Sequence, residues 1–462
     1  MPGRWKVPDL AVVTGLAALA ACLYTALSLV RLATLKAGAY DLVIFDQAIR
    51  SYSRFRLPVA MVKGVHNGFG PGFSVLGDHW SPILALLAPL YWISDRPETL
   101  LIAQAVLMAS AAVPLWVFAR RAAGRFAAYA VAVGYLLSWP VVEAVAFDFH
   151  EVAFVPLLTA VMLERWQAGR RSGVVLAALG LLCVKEDMGL LVAGFGLVLL
   201  TRAGWRWLGG AFVAVGLGFT VLASQVLIPA FGGRPDYYWA YGALGAGAGE
   251  AVRTVLTSPL TAVELLGTPP VKLLTLALLL GVTLFAALLS PLALMAVPLL
   301  AERMLASSFP NWWVPEYHYN AFLVVVVFAA GADAVRRWDP RWARGWAVGV
   351  VVFALACVPF FSLNQLGASN PRAVAAEQAV AAVPDGALVE AANYLAPALT
   401  ARADVLLWDR EPRWAPWVVA ETGRKTFPFQ SLDEQRARVE LLRQKGYEVV
   451  FERDGFTVLR RR

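Results

Sequence analysis

The chain has 462 residues, of which 59% are hydrophobic and only 16% charged, with a mean hydropathy of +0.62; soluble domains carry about 25% charged residues, so this balance excludes a soluble enzyme and reads as a polytopic membrane protein. The net charge of +8 is no nucleic-acid footprint, because arginines cluster in short turns between apolar runs (Arg120/Arg121/Arg125, Arg165/Arg170/Arg171, Arg202/Arg206, Arg336/Arg337/Arg341/Arg344), which is the positive-inside pattern. Cys22, Cys183 and Cys357 all lie inside apolar runs, which supports neither a disulfide framework nor a thiolate zinc site.

Residues 10–30 are too long for a signal-peptide core and long enough to cross a bilayer, so they read as an uncleaved first span with Arg4 and Lys6 on the cytoplasmic side. A first outer loop, 34–96, opens on two carboxylates in an apolar context. On a helix, Leu42, Phe45, Ile49 and Ser53 share one face and Asp46 falls beside it, so Asp46 is not expected on a solvated face. Asp41 precedes that face and could simply be its N-cap. The loop continues through Lys63 and His66 and a glycine-rich stretch to Gly77-Asp-His-Trp-Ser-Pro82, and the apolar run 83–93 is a re-entrant or interfacial helix.

Residues 99–118 cross inward and 126–139 return to the outer turn Phe147-Asp-Phe-His-Glu151, after which 152–163 cross back. As one helix, 174–200 would bury Lys185, Glu186 and Asp187 near the bilayer centre, at roughly 2.5–3.5 kcal/mol each. Two short tilted helices put them at the outer surface instead. Residues 207–229 lead to a second outer loop, 231–270, whose Asp236-Tyr-Tyr-Trp-Ala-Tyr241 suits an aromatic membrane belt or a sugar-stacking surface. A hairpin over 273–305 ends in Glu302-Arg303, a third outer loop spans 306–320, and 321–332 and 346–361 complete about eleven spans. The expected architecture is therefore an all-α membrane bundle, 1–365, followed by a small extracytoplasmic α/β domain, 366–462, in which helical and strand-like runs alternate. This domain has no phosphate loop or metal motif of its own and is assigned a lid or docking role.

On this tracing all four histidines (His66, His79, His150, His318) are outside, with Asp41, Asp46, Asp78, Glu143, Asp148, Glu151, Lys185, Glu186, Asp187, Glu302, Arg303 and Glu316. Ionisable groups at membrane depth are functional candidates. Asp41 or Asp46 could act as general base on an acceptor hydroxyl while Lys185, Arg303, His318 and Glu302 bind the substrate and its phosphate. Asp78, His79, Asp148, His150 and Glu151 have the chemistry to hold a divalent cation such as Mg or Mn, without diagnostic spacing. Glu186, Asp187, Tyr40 and Gln47 complete the candidate pocket.

Tyr40-Asp-Leu-Val-Ile-Phe-Asp-Gln47, Gly77-Asp-His-Trp-Ser-Pro-Ile83, Phe147-Asp-Phe-His-Glu151 and Val184-Lys-Glu-Asp-Met-Gly189 resemble the signature blocks of an uncharacterised prokaryotic membrane-protein family, domain of unknown function 2079. That family in turn resembles the GT-C membrane glycosyltransferases. The resemblance implies a multi-span bundle in the cell membrane, a catalytic Asp soon after span one, where Asp41 and Asp46 stand, and a polyprenyl-phosphate sugar donor with a lipid or envelope-glycan acceptor. Trp312-Trp313 is followed by Val314, which departs from the Trp-Trp-Asp motif of oligosaccharyltransferases. A transporter or flippase for a lipid-linked or polar solute, or a non-catalytic envelope-assembly protein, are the alternatives. A transporter should carry internal repeats and midplane charges, and neither is visible.

Overall fold

The computed structural model describes residues 7–234 and 237–462, so Arg4, Lys6 and Asp236 lie outside the described residues. The first helix, Val7–Ala33, leaves Leu10, Val12, Leu19 and Leu23 exposed, as an apolar helix facing lipid must. Glu98–Ser110 and Ala112–Leu137 follow, and the second is broken at Gly124, whose φ of +89° only glycine adopts readily. The break makes a hairpin. Tyr135 Oη donates to the Met108 carbonyl (2.8 Å) and Gln104 Nε2 to that of Ala144 (3.1 Å), which fixes the two arms antiparallel. Every residue of Ala321–Val335 is buried, the mark of a helix surrounded by others.

Residues 171–200 form two helices, Arg171–Leu182 and Met188–Leu200, with Lys185-Glu-Asp187 in the turn between them. The run 83–93 is a short 3-10 turn, Pro82–Leu87, continued by Ala88–Tyr91. The hairpin expected over 273–305 is more broken, into Val271–Gly281, two 3-10 turns and Val297–Leu305, because Pro291 and Pro298 cannot donate within a helix. Among the described residues, three helical stretches are long and apolar enough to cross a membrane, or four if the bent pair Pro259–Gly267 and Val271–Gly281 is one span. The other apolar helices, such as Arg171–Leu182 and Ala321–Val335, fall short of the roughly 20 residues a perpendicular span needs.

Chain order and cross-contacts sort the turns by end of the bundle. Arg121 pairs with Glu164 and Gln167 bonds to the Phe118 carbonyl at one end. At the other end the loops following residues 33, 146, 182 and 305 come together, and the first of them meets the C-terminal domain. The sheet of that domain has β1 (Leu388–Ala391), β2 (Asp404–Leu407), β3 (Trp417–Glu421), β4 (Tyr447–Arg453) and β5 (Phe456–Arg461), in the order β2-β1-β3-β5-β4. β1 is parallel to β2 and β3, whereas β5 is antiparallel to β3 and β4. The helix Leu432–Gln444 buries Val439 and Leu442, and its Arg438 Nη2 reaches the buried Glu390 carboxylate of β1 at 3.0 Å.

Candidate active site at one end of the bundle

The two aspartates of the first motif have different surroundings. Asp41 sits in the π-turn Ala39–Val43 and caps no helix; its Oδ2 accepts from His150 Nε2 at 2.8 Å, and its side chain stays about a quarter exposed. Burial pushes its carboxyl up, but the charge and hydrogen bond of His150, with Lys63, outweigh that and hold it below the usual carboxylate range. Asp46 is 0% exposed. Its oxygens accept from Arg50 Nη1 (2.6 Å) and Nη2 (3.1 Å), from Tyr91 Oη (2.7 Å) and from Thr400 Oγ1 (2.7 Å) in the C-terminal domain. That carboxylate is saturated by the chain, and the geometry makes it a structural clamp.

The loop bearing Asp148 and His150 is pinned by Gln104, whose amide donates to the Asp148 carbonyl (2.7 Å) and accepts from the His150 N–H (3.0 Å). Asp148 and Glu151 share no helix face, because 147–150 is irregular and Glu151 begins a 3-10 turn. Asp148 Oδ2 accepts instead from the Gly38 N–H (2.8 Å), and burial raises its pKa to about 7 against that hydrogen bond, with Asp41 adding to the rise. The rings of His150 and His318 stack at 3.7 Å, and Nδ1 of each is buried without a hydrogen-bond partner among the described residues. Burial, then the neighbouring His150, Lys185 and Arg303, keep His318 neutral.

A second cluster adjoins the first. Lys63 Nζ lies 3.0 Å from Asp78 Oδ1 and donates to Tyr238 Oη (2.9 Å), inside a box made by the rings of Tyr40, Tyr237 and Tyr238. His79 stacks on Tyr238 and its Nδ1 lies 2.7 Å from Glu186 Oε1, whose partner oxygen accepts from the Trp80 N–H (3.1 Å). Lys185 is buried and donates no hydrogen bond among the described residues; its closest carboxylate oxygen, on Glu151, is 3.7 Å away. The charges of Glu151, Glu186, Asp187 and Glu302 act on one another around it. These groups come from five separate chain segments, and together they form one polar network.

Not every candidate faces that network openly. Arg303 spends three of its five N–H donors on the carbonyls of Trp312 (2.8 Å) and Tyr319 (2.7 Å) and on Asn320 Oδ1 (3.1 Å), so it holds the third loop. Gln47 bridges the Val62 N–H and the Val405 carbonyl, both at 3.0 Å, which ties the first loop to β2. Glu143 caps the segment at Ser362, and His66 reaches Asp409 of the C-terminal domain at 2.6 Å. The five residues expected to share a cation are divided among different partners: Asp78 with Lys63, His79 with Glu186, Asp148 with Gly38, His150 with Asp41 and Glu151 with Lys185. Among the described residues no three His, Cys, Asp or Glu side chains gather to hold a metal ion.

Lys63, Tyr238, Gln104 and Asn393 belong to the site and were not among the sequence candidates. Gln104 had a signal, as an amide alone in an apolar run. Asn393 had none; its side chain accepts from the Tyr40 N–H (3.2 Å) and its carbonyl from that of Ala39 (2.8 Å), so the C-terminal domain buttresses the Asp41 turn directly.

A family model described as "predicted membrane protein (DUF2079)" matches residues 31–458. No curated protein matches the chain. In structure, the chain is similar to ArnT from Cupriavidus metallidurans bound to undecaprenyl phosphate, with a TM-score of 0.57 at 12% identity over 97% of each chain. The apo state of the same protein gives a TM-score of 0.51 at 14% identity, over 97% of this chain and 98% of that one. The oligosaccharyltransferase of Archaeoglobus fulgidus aligns at a TM-score of 0.46 and 11% identity, over 96% of this chain and 72% of its own. ArnT and oligosaccharyltransferase are GT-C-fold membrane glycosyltransferases.

Proposed function

The chain belongs to the DUF2079 family of predicted membrane proteins, and we propose that it is a GT-C-type transferase that moves a sugar from a polyprenyl-phosphate donor to a lipid or cell-envelope glycan on the extracytoplasmic face of a prokaryotic membrane. The observation that carries this reading is the Asp41–His150 pair. It is a partly open carboxylate, fixed by an imidazole and kept ionised, at the end of the bundle where the other ionisable motifs meet.

In the proposed reaction the acceptor hydroxyl attacks the anomeric carbon, a C–O bond forms there, and the bond from that carbon to the phosphate oxygen breaks. Asp41 takes the hydroxyl proton while His150 holds the carboxylate in place. The polyprenyl phosphate leaves with the bonding electron pair, and the ammonium of Lys185, which among the described residues has no hydrogen bond to give up, turns to its oxygens. ArnT, whose fold is similar, was crystallised with undecaprenyl phosphate, which supports a carrier of this chemical class. No step is routed through a divalent cation, since the donors for one do not gather among the described residues.

The test is transfer of a radiolabelled sugar by the purified full chain, given a polyprenyl-phosphate sugar and membrane lipid extract. Asp41→Asn should lower turnover by about 10²- to 10⁴-fold, the usual worth of a general base. Undiminished transfer in that variant, or flux of solute through proteoliposomes without transfer, would overturn the proposal in favour of another base or of a transporter.

A further inference from the structure

A cavity of about 310 Å³ lies between the end of the first helix and the C-terminal domain, across the 392–395 loop from Asp41. Its size is within the about 300–1,000 Å³ typical of ligand pockets. Arg31 and Lys36 line one wall, Arg372, Arg424 and Lys425 the other. Arg372 is committed to Glu421 at 2.8 Å. Glu421 is itself saturated, because its Oε1 also accepts from the Gly423 (2.6 Å) and Arg424 (3.0 Å) N–H groups.

The remaining four cations have no carboxylate within ion-pair distance among the described residues. Arg31 Nη1 (2.6 Å) and Lys36 Nζ (3.0 Å) both donate to the one amide oxygen of Gln365, which draws the two charges together rather than neutralising them. Like charges gathered around a cavity repel unless an anion joins them. The cavity also sits where the apolar stretch Pro8–Ala33 ends, the level at which hydrocarbon gives way to lipid head groups.

We propose that this cavity binds a phosphate-type anion, carried either by a lipid head group or by a water-borne phosphorylated molecule. The site is separate from Asp41 and does not depend on the transferase reading. It is nonetheless adjacent to it, because Tyr394 lines the cavity while Asn393, its neighbour, holds the Asp41 turn.

Two arms of one experiment distinguish the sources, both on the full chain. Calorimetry with inorganic pyrophosphate in neutral detergent reads the water-borne arm. Native mass spectrometry from nanodiscs of phosphatidylcholine with or without phosphatidic acid reads the lipid arm. In at least one arm the wild type should bind its probe, and R424E/K425E, at two exposed positions, should bind it about tenfold more weakly or worse, the worth of one charge-assisted contact. K445E, which reverses an exposed charge elsewhere on the same domain, should bind like the wild type. Binding confined to one arm assigns the source. Equal loss in R424E/K425E and K445E, equal binding by wild type and R424E/K425E, or no binding in either arm would overturn the site.

Discussion

Asp46 and Asp41 are five positions apart, yet a substitution at each should fail in a different way. Asp46 is a fully buried carboxylate whose four hydrogen bonds tie Arg50 and Tyr91 of the first loop to Thr400 of the C-terminal domain. Asp46→Ala leaves the Arg50 guanidinium with the half-exposed Asp95 as its one remaining charged partner among the described residues, and breaking one side of a buried pair costs about 3–5 kcal/mol. The expected outcome is a lower thermal midpoint in detergent and faster proteolysis ahead of the C-terminal domain. Asp41→Asn keeps one acceptor for His150 and should leave that midpoint unchanged while lowering transfer by about 10²- to 10⁴-fold. Asp148 offers a pH test. A carboxyl raised to about 7 binds a proton in the folded chain that the unfolded chain has released, so stability should fall as pH rises from about 4 to 7. Asp148→Asn still accepts from Gly38 and should flatten the dependence of thermal midpoint on pH between about 4 and 7; an unchanged slope would place the titrating group elsewhere. The helical periodicity foretold that Asp46 would be buried. It could not tell a clamp from a base, because the partner that decides, Thr400, lies 354 residues away.

At the scale of elements, the Val184-Lys-Glu-Asp-Met-Gly189 block combines two functions. Its charges form the turn in the polar network, and its glycine lets two helices touch. A Cβ on Gly189 would stand 2.3 Å from the Gly216 carbonyl oxygen and 2.4 Å from Thr220 Oγ1, in the helix Arg206–Leu222. Close backbone approach at small residues is how helices associate in lipid. Thr220 Oγ1 also donates to the Glu186 carbonyl (3.0 Å), so forcing the helices apart shifts the residue that holds His79. Gly189→Val should cost about 1–3 kcal/mol as an overpacked contact, read as an earlier loss of the monodisperse peak on heating in detergent; a wild-type profile would mean the helices slide freely. The charge rule correctly placed Lys185 to Asp187 at a turn, since the alternative buries three charges. The shortness of the flanking helices was legible for the same reason. The fragmentation of 271–305 was signalled only by its prolines, and the pairing of individual ions was not readable, because many acidic and basic groups compete for the same partners.

At the scale of the whole molecule, everything proposed for Asp41 depends on which side of the membrane its end of the bundle faces. The arginine clusters and the ionisable motifs lie at opposite ends of the helices: Arg121 and Glu164 meet at one, Asp41 and His150 at the other. Positive charge favours the cytoplasmic side, so the proposal requires the Asp41 end, and the C-terminal sheet bound to it, to face outward. Cysteine labelling checks this without reference to activity. Cys22, Cys183 and Cys357 are unpaired and can be replaced by alanine. In that background, Ser308→Cys probes an exposed position of the third loop and Arg341→Cys an exposed position of the last arginine cluster. A membrane-impermeant maleimide added to intact spheroplasts should modify the first and spare the second until the membrane is opened. The reverse pattern would put the Asp41 network in the cytosol, where polyprenyl-phosphate sugars presented on the outer leaflet are out of reach.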